Sequence, residues 1–194
     1  MNQVNKALAK SQAQSKTKFR LAGHDLTKTR EENDFYPTPP SGILPLLEKE
    51  KFEGNVWECA CGDGAISKIL IEKGYSVYSS DLIDRGYGNV GIDFLQTNKK
   101  FDNIITNPPF NLANEFTLHG FKSINNQMAL LCKLSFLEGK KRASTIFNQN
   151  KLKKVLVFSK RLGFQRNDKK GGLMAFAWFI FDVNYNGKPT VDWI

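Results

Sequence analysis

The stretch from Asn55 to Asp81 limits the fold more than any other part of the chain. Asn55–Cys59 (NVWEC) is a short apolar run with strand character, and Cys61-Gly62-Asp63-Gly64 is a glycine turn. Ala65–Lys73 reads as a helix, stopped by Gly74. Ser76–Ser80 (SVYSS) is a second strand that ends at Asp81. The alternation continues downstream. Val90–Asp93, Asp102–Thr106 (DNIIT), Met128–Cys132 (MALLC), Leu156–Ser159 and Ala175–Asp182 (AFAWFIFD) read as strands, and Leu112–Lys122 suits a helix. Strands interleaved with helices imply an α/β layer built on a largely parallel sheet. The last strand pair, joined by the Lys/Arg/Gly-rich stretch Lys160–Gly172, closes the domain.

At 194 residues the chain is long enough for one domain with a sizeable core and too short for two large ones. Residues 1–32 are rich in Lys, Gln, Ser and Ala and poor in large apolar side chains, so they are expected to form a basic flexible arm. Residues 33–194 are expected to form a single domain. No apolar run approaches the roughly 18 to 20 residues that cross a bilayer, and the polar, lysine-rich start is not a secretory signal. A cytoplasmic protein without membrane contact is expected. Cys59, Cys61 and Cys132 do not have a zinc-binding spacing, so no metal is expected and the thiols read as buried and reduced.

The formal net charge of +9 is uneven. Residues 1–30 carry +6, residues 31–137 carry −5, residues 138–172 carry +9 and residues 173–194 carry −1. Two basic blocks around an acidic middle fit a polyanionic partner as well as they fit two solvated faces.

Three features fall at the carboxyl ends of successive expected strands, where open α/β sheets bind ligands. The first is the loop Glu58–Gly64, in which glycines let the backbone turn sharply and approach a ligand closely. The second is Asp81, about 20 residues beyond the loop, where a carboxylate accepts hydrogen bonds from a ribose diol. The third is Asp93-Phe94, suited to an adenine amino group and an apolar wall. A nicotinamide cofactor is disfavoured, because no third glycine completes the Gly-x-Gly-x-x-Gly pattern and Glu58 and Asp63 repel a pyrophosphate. An acidic loop suits the sulfonium and ammonium groups of S-adenosylmethionine.

The most specific signal is Asn107-Pro108-Pro109-Phe110, directly after an apolar strand. Two consecutive prolines block helix and ladder alike and fix an extended backbone. Asn107 offers a side-chain carbonyl, the Pro108 carbonyl offers a second acceptor, and Phe110 offers a ring face. An aromatic amine is a poor nucleophile because its lone pair is delocalised. Two acceptors on its N–H bonds stabilise the charge that grows as it attacks a methyl carbon.

These residues resemble the amino-methyltransferases of the class I fold, and most closely the adenine-N6 DNA methyltransferases of bacteria and their phages. Asn33-Asp34-Phe35-Tyr36-Pro37-Thr38-Pro39-Pro40 is similar to the family's N-terminal cofactor motif in the gamma-type order, Glu58–Gly64 to its glycine loop, and Asn107–Phe110 to its catalytic motif. The resemblance implies a Rossmann-like, mostly parallel seven-stranded sheet with the last strand antiparallel and helices on both faces. It implies S-adenosylmethionine contacts from Tyr36, Pro37, Thr38, Glu58, Cys61, Gly62, Gly64, Asp81, Asp93, Phe94 and Asn107. It also implies that Asn107, Pro108, Pro109 and Phe110 handle the target amine of a flipped base.

The sequence departs from the family at Cys59, where proline is common, and in having no appended target-recognition domain. Reading of DNA would fall to the N-terminal arm, to Lys140, Lys141 and Arg142, to Arg161, Arg166, Lys169 and Lys170, or to a partner protein. RNA or a protein glutamine amide remains open as the acceptor. So does a catalytically silent nucleic-acid-binding module of the same fold.

Overall fold

The computed structural model of the chain describes residues 35–164 and 174–194. The expected arm at 1–32 and the middle of the basic stretch, including Arg166, Lys169 and Lys170, lie outside the described residues. The order of elements is helix α1 (Pro40–Lys49), strand β1 (Val56–Glu58), helix α2 (Ala65–Glu72), strands β2 (Val77–Ser79) and β3 (Phe101–Thr106), helix α3 (Ala113–Ser123), strand β4 (Ile124–Lys133), helix α4 (Lys140–Thr145), and strands β5 (Leu152–Val157), β6 (Phe176–Asp182) and β7 (Thr190–Trp193).

The seven strands form one sheet in the order β2-β1-β3-β4-β6-β5-β7. β2, β1, β3 and β4 pair in parallel, so their carboxyl ends share one edge. β6 runs antiparallel between β4 and β5, and β7 pairs in parallel with β5. The antiparallel strand is therefore next to last rather than last.

Alternation along the strands divides the core between the two faces of the sheet. Ile104, Met128, Leu130, Phe179 and Phe181 pack with Ala113 and Phe116 of α3. Ile105, Ala129, Leu131, Trp178 and Ile180 pack with Ile43 and Leu46 of α1 and with Ile66 and Leu70 of α2. A fully buried indole needs a partner for its N–H, and Trp178 Nε1 donates to the Gly42 carbonyl at 2.6 Å. That bond anchors the start of α1 to the middle of the sheet.

One expected strand is replaced. Val90–Asp93 is not a strand; a single bridge between Ser80 and Asn89 stands nearby, followed by a 3-10 turn at Phe94–Gln96. Gly86, Gly88 and Gly91 all have positive φ, which breaks the extended backbone on either side of Val90. The count of seven is completed by β7, which the sequence reading does not anticipate. Among the described residues no helix is long and apolar enough to cross a membrane.

Candidate active site

The carboxyl edge of β2, β1, β3 and β4 collects the residues singled out by the sequence. After β1 the chain turns through Cys61–Gly64, held by Cys61 N–H on the Ser80 carbonyl (3.0 Å) and Gly64 N–H on the Cys61 carbonyl (2.8 Å). Gly62 and Gly64 have φ of 55° and 80°, a left-handed conformation that side chains disfavour. A Cβ on Gly62 would sit 2.5 Å from the Phe35 ring, and one on Gly64 would sit 2.5 Å from the Tyr87 ring. Two aromatic rings thus lie over the two glycines. Arg85 stacks on Phe35, 4.0 Å from its centroid, and Lys68 lies 5.0 Å from the Tyr87 centroid.

Asp81 follows β2 and binds the loop directly. Its Oδ2 accepts from Gly62 N–H at 2.8 Å and its Oδ1 from Ile83 N–H at 2.9 Å. Each carboxylate oxygen retains a second acceptor site, so a diol could still be bound. The neighbouring Leu82 and Ile83 are exposed, at 56% and 37%.

Glu58 is placed differently from expectation. It is buried, its carboxylate takes a hydrogen bond from Ser67 Oγ, and Ser67 Oγ lies 2.6 Å from Ser79 Oγ. Burial pushes its pKa well above the usual carboxylate range; the Ser67 hydrogen bonds oppose this, and the charges of Asp81 and Asp63 add to it. Glu58 is thus tied through Ser67 to the start of α2 and to the end of β2. Cys61 is also buried, with its thiol 3.6 Å from the Tyr87 carbonyl and pushed up to about 12, chiefly by desolvation.

Asp93 caps the turn that follows it, accepting from Leu95 N–H at 2.9 Å. Phe94 is not an open wall. It is 3% exposed and packs against Trp57, Phe116 and His119, with ring centroids 5.1, 4.8 and 4.9 Å away. An apolar residue beside an acid is read equally well as ligand wall or as core, and here the core claims it.

Asn107 leaves the end of β3 beside the extended segment that precedes α1. Its Nδ2 donates to the Tyr36 carbonyl at 3.0 Å and to Thr38 Oγ1 at 3.1 Å. A backbone carbonyl only accepts, so the amide nitrogen must face Tyr36. That orientation leaves Asn107 Oδ1 buried and without a donor. Thr38 is itself buried, so the pair is rigidly seated. Pro108 is buried, and Pro109 leads into a 3-10 turn, Phe110–Leu112. The Phe110 ring stacks on Tyr36 (5.9 Å, 19° between planes) and meets Phe164 and Phe176 at 6.3 and 5.4 Å.

Beside Phe110, at the end of β4, a cleft is lined by Phe110, Ala113, Cys132, Lys133, Ser135, Phe136 and Arg142. Of the predicted basic residues that are described, Arg142 lines it, while Lys140, Lys141 and Arg161 are exposed on the surface. Lys133 was not anticipated, because a single cation after an apolar strand carries no pattern.

The loop glycines and the Asp81 carboxylate suit an adenosyl ligand, and the orphaned Asn107 acceptor suits an N–H donor. Comparisons with known proteins agree at the level of fold. The sequence matches no family model and no curated protein. Among solved structures, a proposed RNA methyltransferase from Pyrococcus horikoshii superposes with a TM-score of 0.62 at 18% identity, covering 86% of this chain and 97% of the other. A modification subunit of a proposed type I restriction enzyme from Vibrio vulnificus gives 0.60 at 14% identity, covering 84% of this chain and 48% of that subunit. The chain thus spans about half of that subunit's length. The magnesium protoporphyrin IX methyltransferase of Synechocystis with bound S-adenosylhomocysteine gives 0.52 at 15% identity, covering 73% of this chain and 80% of the other. The fold is the Rossmann-like class I methyltransferase fold.

Proposed function

We propose that this chain is an S-adenosylmethionine-dependent methyltransferase acting on an exocyclic amine, with adenine N6 in DNA as its target. The observation that carries the proposal is the buried, donor-less Asn107 Oδ1. An unpaired buried acceptor costs roughly 1–3 kcal/mol, and a ligand N–H that meets it recovers that cost. The carbonyl of Pro108, the next residue in the chain, would be the second acceptor for the two N–H bonds of a planar amine.

Asp81 would hold the ribose, while Tyr36 and Pro37 would border the methionine end and Gly62 and Gly64 would let the backbone approach. Phe35 and Tyr87 border the same space. When bound, S-adenosylmethionine supplies an electrophilic methyl carbon. Asn107 and Pro108 orient the amine lone pair and stabilise the positive charge developing on nitrogen, and Tyr36 and Thr38 keep the Asn107 amide from rotating. Phe110 offers a ring for the base. Pro109 stiffens the turn that places it.

DNA is favoured by the likeness to a restriction-modification subunit, and the two basic blocks suit its phosphates. RNA is the second reading, favoured by the likeness to the proposed RNA methyltransferase. Target choice would fall to the basic segments or to a partner subunit. The test is incubation of DNA, RNA and protein separately with methyl-labelled cofactor, followed by mass spectrometry of the digests. Label in N6-methyl-2′-deoxyadenosine from the DNA digest is expected. Label confined to protein glutamine, or absent from all three acceptors, would overturn the proposal.

A further inference from the structure

The cleft at the end of β4 has a chemical character of its own. Among the described residues its charged lining consists of Lys133 and Arg142, with no carboxylate. Lys133 forms no ion pair among the described residues; its ammonium lies over the Phe110 ring, 5.2 Å from the centroid. Arg142 lies over Phe136 at 5.3 Å, and its guanidinium is fixed by the carbonyls of Glu138 (Nε, 2.7 Å) and Ser135 (Nη2, 3.4 Å). Those are neutral partners, so the positive charge is oriented without being neutralised.

The position of the cleft follows from the strand order. Along the carboxyl edge come Asp81 after β2, the glycine loop after β1, Asn107 after β3, and then Lys133 at the end of β4. The two cations therefore stand on the side of Asn107 away from the glycine loop. A planar amine that meets Asn107 and rests on Phe110 brings its remaining substituents toward this side. If that planar group is a nucleobase, the substituent is a sugar phosphate.

We propose that Lys133 and Arg142 form the phosphate-recognising half of the acceptor site, binding the phosphodiester next to the target nucleotide. This rests on the methyltransferase reading above and narrows its substrate to a nucleotide within a strand. Lys133 lies over the Phe110 ring and would turn from it to a phosphate, because an ammonium is held more strongly by an anion than by an aromatic face. Arg142 stays in place and offers its remaining N–H groups. The shared chemistry is an anionic phosphate, which a strand or a free mononucleotide could supply.

The test uses the full chain and a fluorescein-labelled single-stranded 12-mer of thymines with one central adenine. Anisotropy titrations over a salt series compare wild type with Lys133→Gln, Arg142→Gln, Lys133→Arg and, as a distant charge control, Lys188→Gln. Each of the two cleft neutralisations is expected to weaken binding roughly tenfold and to reduce the logarithmic salt slope by about 1. Lys133→Arg is expected to restore binding, and Lys188→Gln to match wild type. In methyl transfer, KM for the 12-mer is expected to rise in both neutralised variants. KM for deoxyadenosine, which has no phosphate, is expected to stay put, and deoxyadenosine 5′-monophosphate separates a terminal phosphate from a bridging one. Methylation of the 12-mer with unchanged KM and salt slope in both variants would overturn this inference alone. A wild-type protein that neither binds nor methylates the 12-mer would overturn it together with the reading it rests on, as would methylation of protein only.

Discussion

Asn107 Nδ2 donates to the Tyr36 carbonyl at 3.0 Å, a bond between positions 71 residues apart. It joins the segment before α1 to the turn after β3 and decides which end of the Asn107 amide is left for a ligand. The consequences of that seating, and of the glycine loop beside it, can be measured.

Burial holds the Glu58 pKa well above the usual carboxylate range. The folded state therefore keeps this proton more tightly than the unfolded chain does. Stability from this group is fully present below the ordinary carboxylate pKa and is lost as pH rises from there toward the raised value. Glu58→Gln removes the titration and keeps an acceptor for Ser67. Urea denaturation at pH 5 and pH 8 should show the variant gaining on wild type at the higher pH; equal differences at both would assign Glu58 no such role.

Gly64→Ala forces a side chain into a left-handed backbone and against Tyr87. A loss of roughly 1–3 kcal/mol is expected by chemical denaturation. In a Tyr87→Ala background the contact is gone but the backbone strain stays, so only part of the loss should return. Full recovery would mean that the strain costs nothing.

Asp81→Ala removes the acceptor of both Gly62 N–H and Ile83 N–H. Cofactor affinity by calorimetry should fall about tenfold or more, the range expected when a charge-assisted hydrogen bond of roughly 1.5–3 kcal/mol is lost. Unchanged affinity would move the ribose contact to another residue.

Much of this site was legible because its signals are covalent or conformational. Asn107-Pro108-Pro109-Phe110 announces itself through two consecutive prolines, which the interiors of strands and helices disfavour. The glycine loop and Asp81 follow from a strand, a turn and a second strand in short succession. Burial was not legible. Glu58 and Phe94 sit next to ligand-like neighbours in the sequence, yet one faces Ser67 and the other Trp57, because strand direction and helix packing, rather than residue type, decide which side is inside. Val90–Asp93 has strand-like residues between glycines whose positive φ cannot be read from composition. β7 is short, lies at the sheet edge and alternates with polar residues, so its pairing with β5 depends on contacts made far away in the chain. Lys133 gains meaning only from the ring it lies over.

The most direct test is methyl transfer to adenine-containing DNA by Asn107→Ala beside wild type, with cofactor binding measured by calorimetry on both. We expect turnover to fall by about 10²–10³ or more while cofactor affinity holds within about threefold, since the lost group meets the acceptor amine and stabilises its developing charge. Full turnover by Asn107→Ala would contradict the assignment of its side-chain oxygen to the amine.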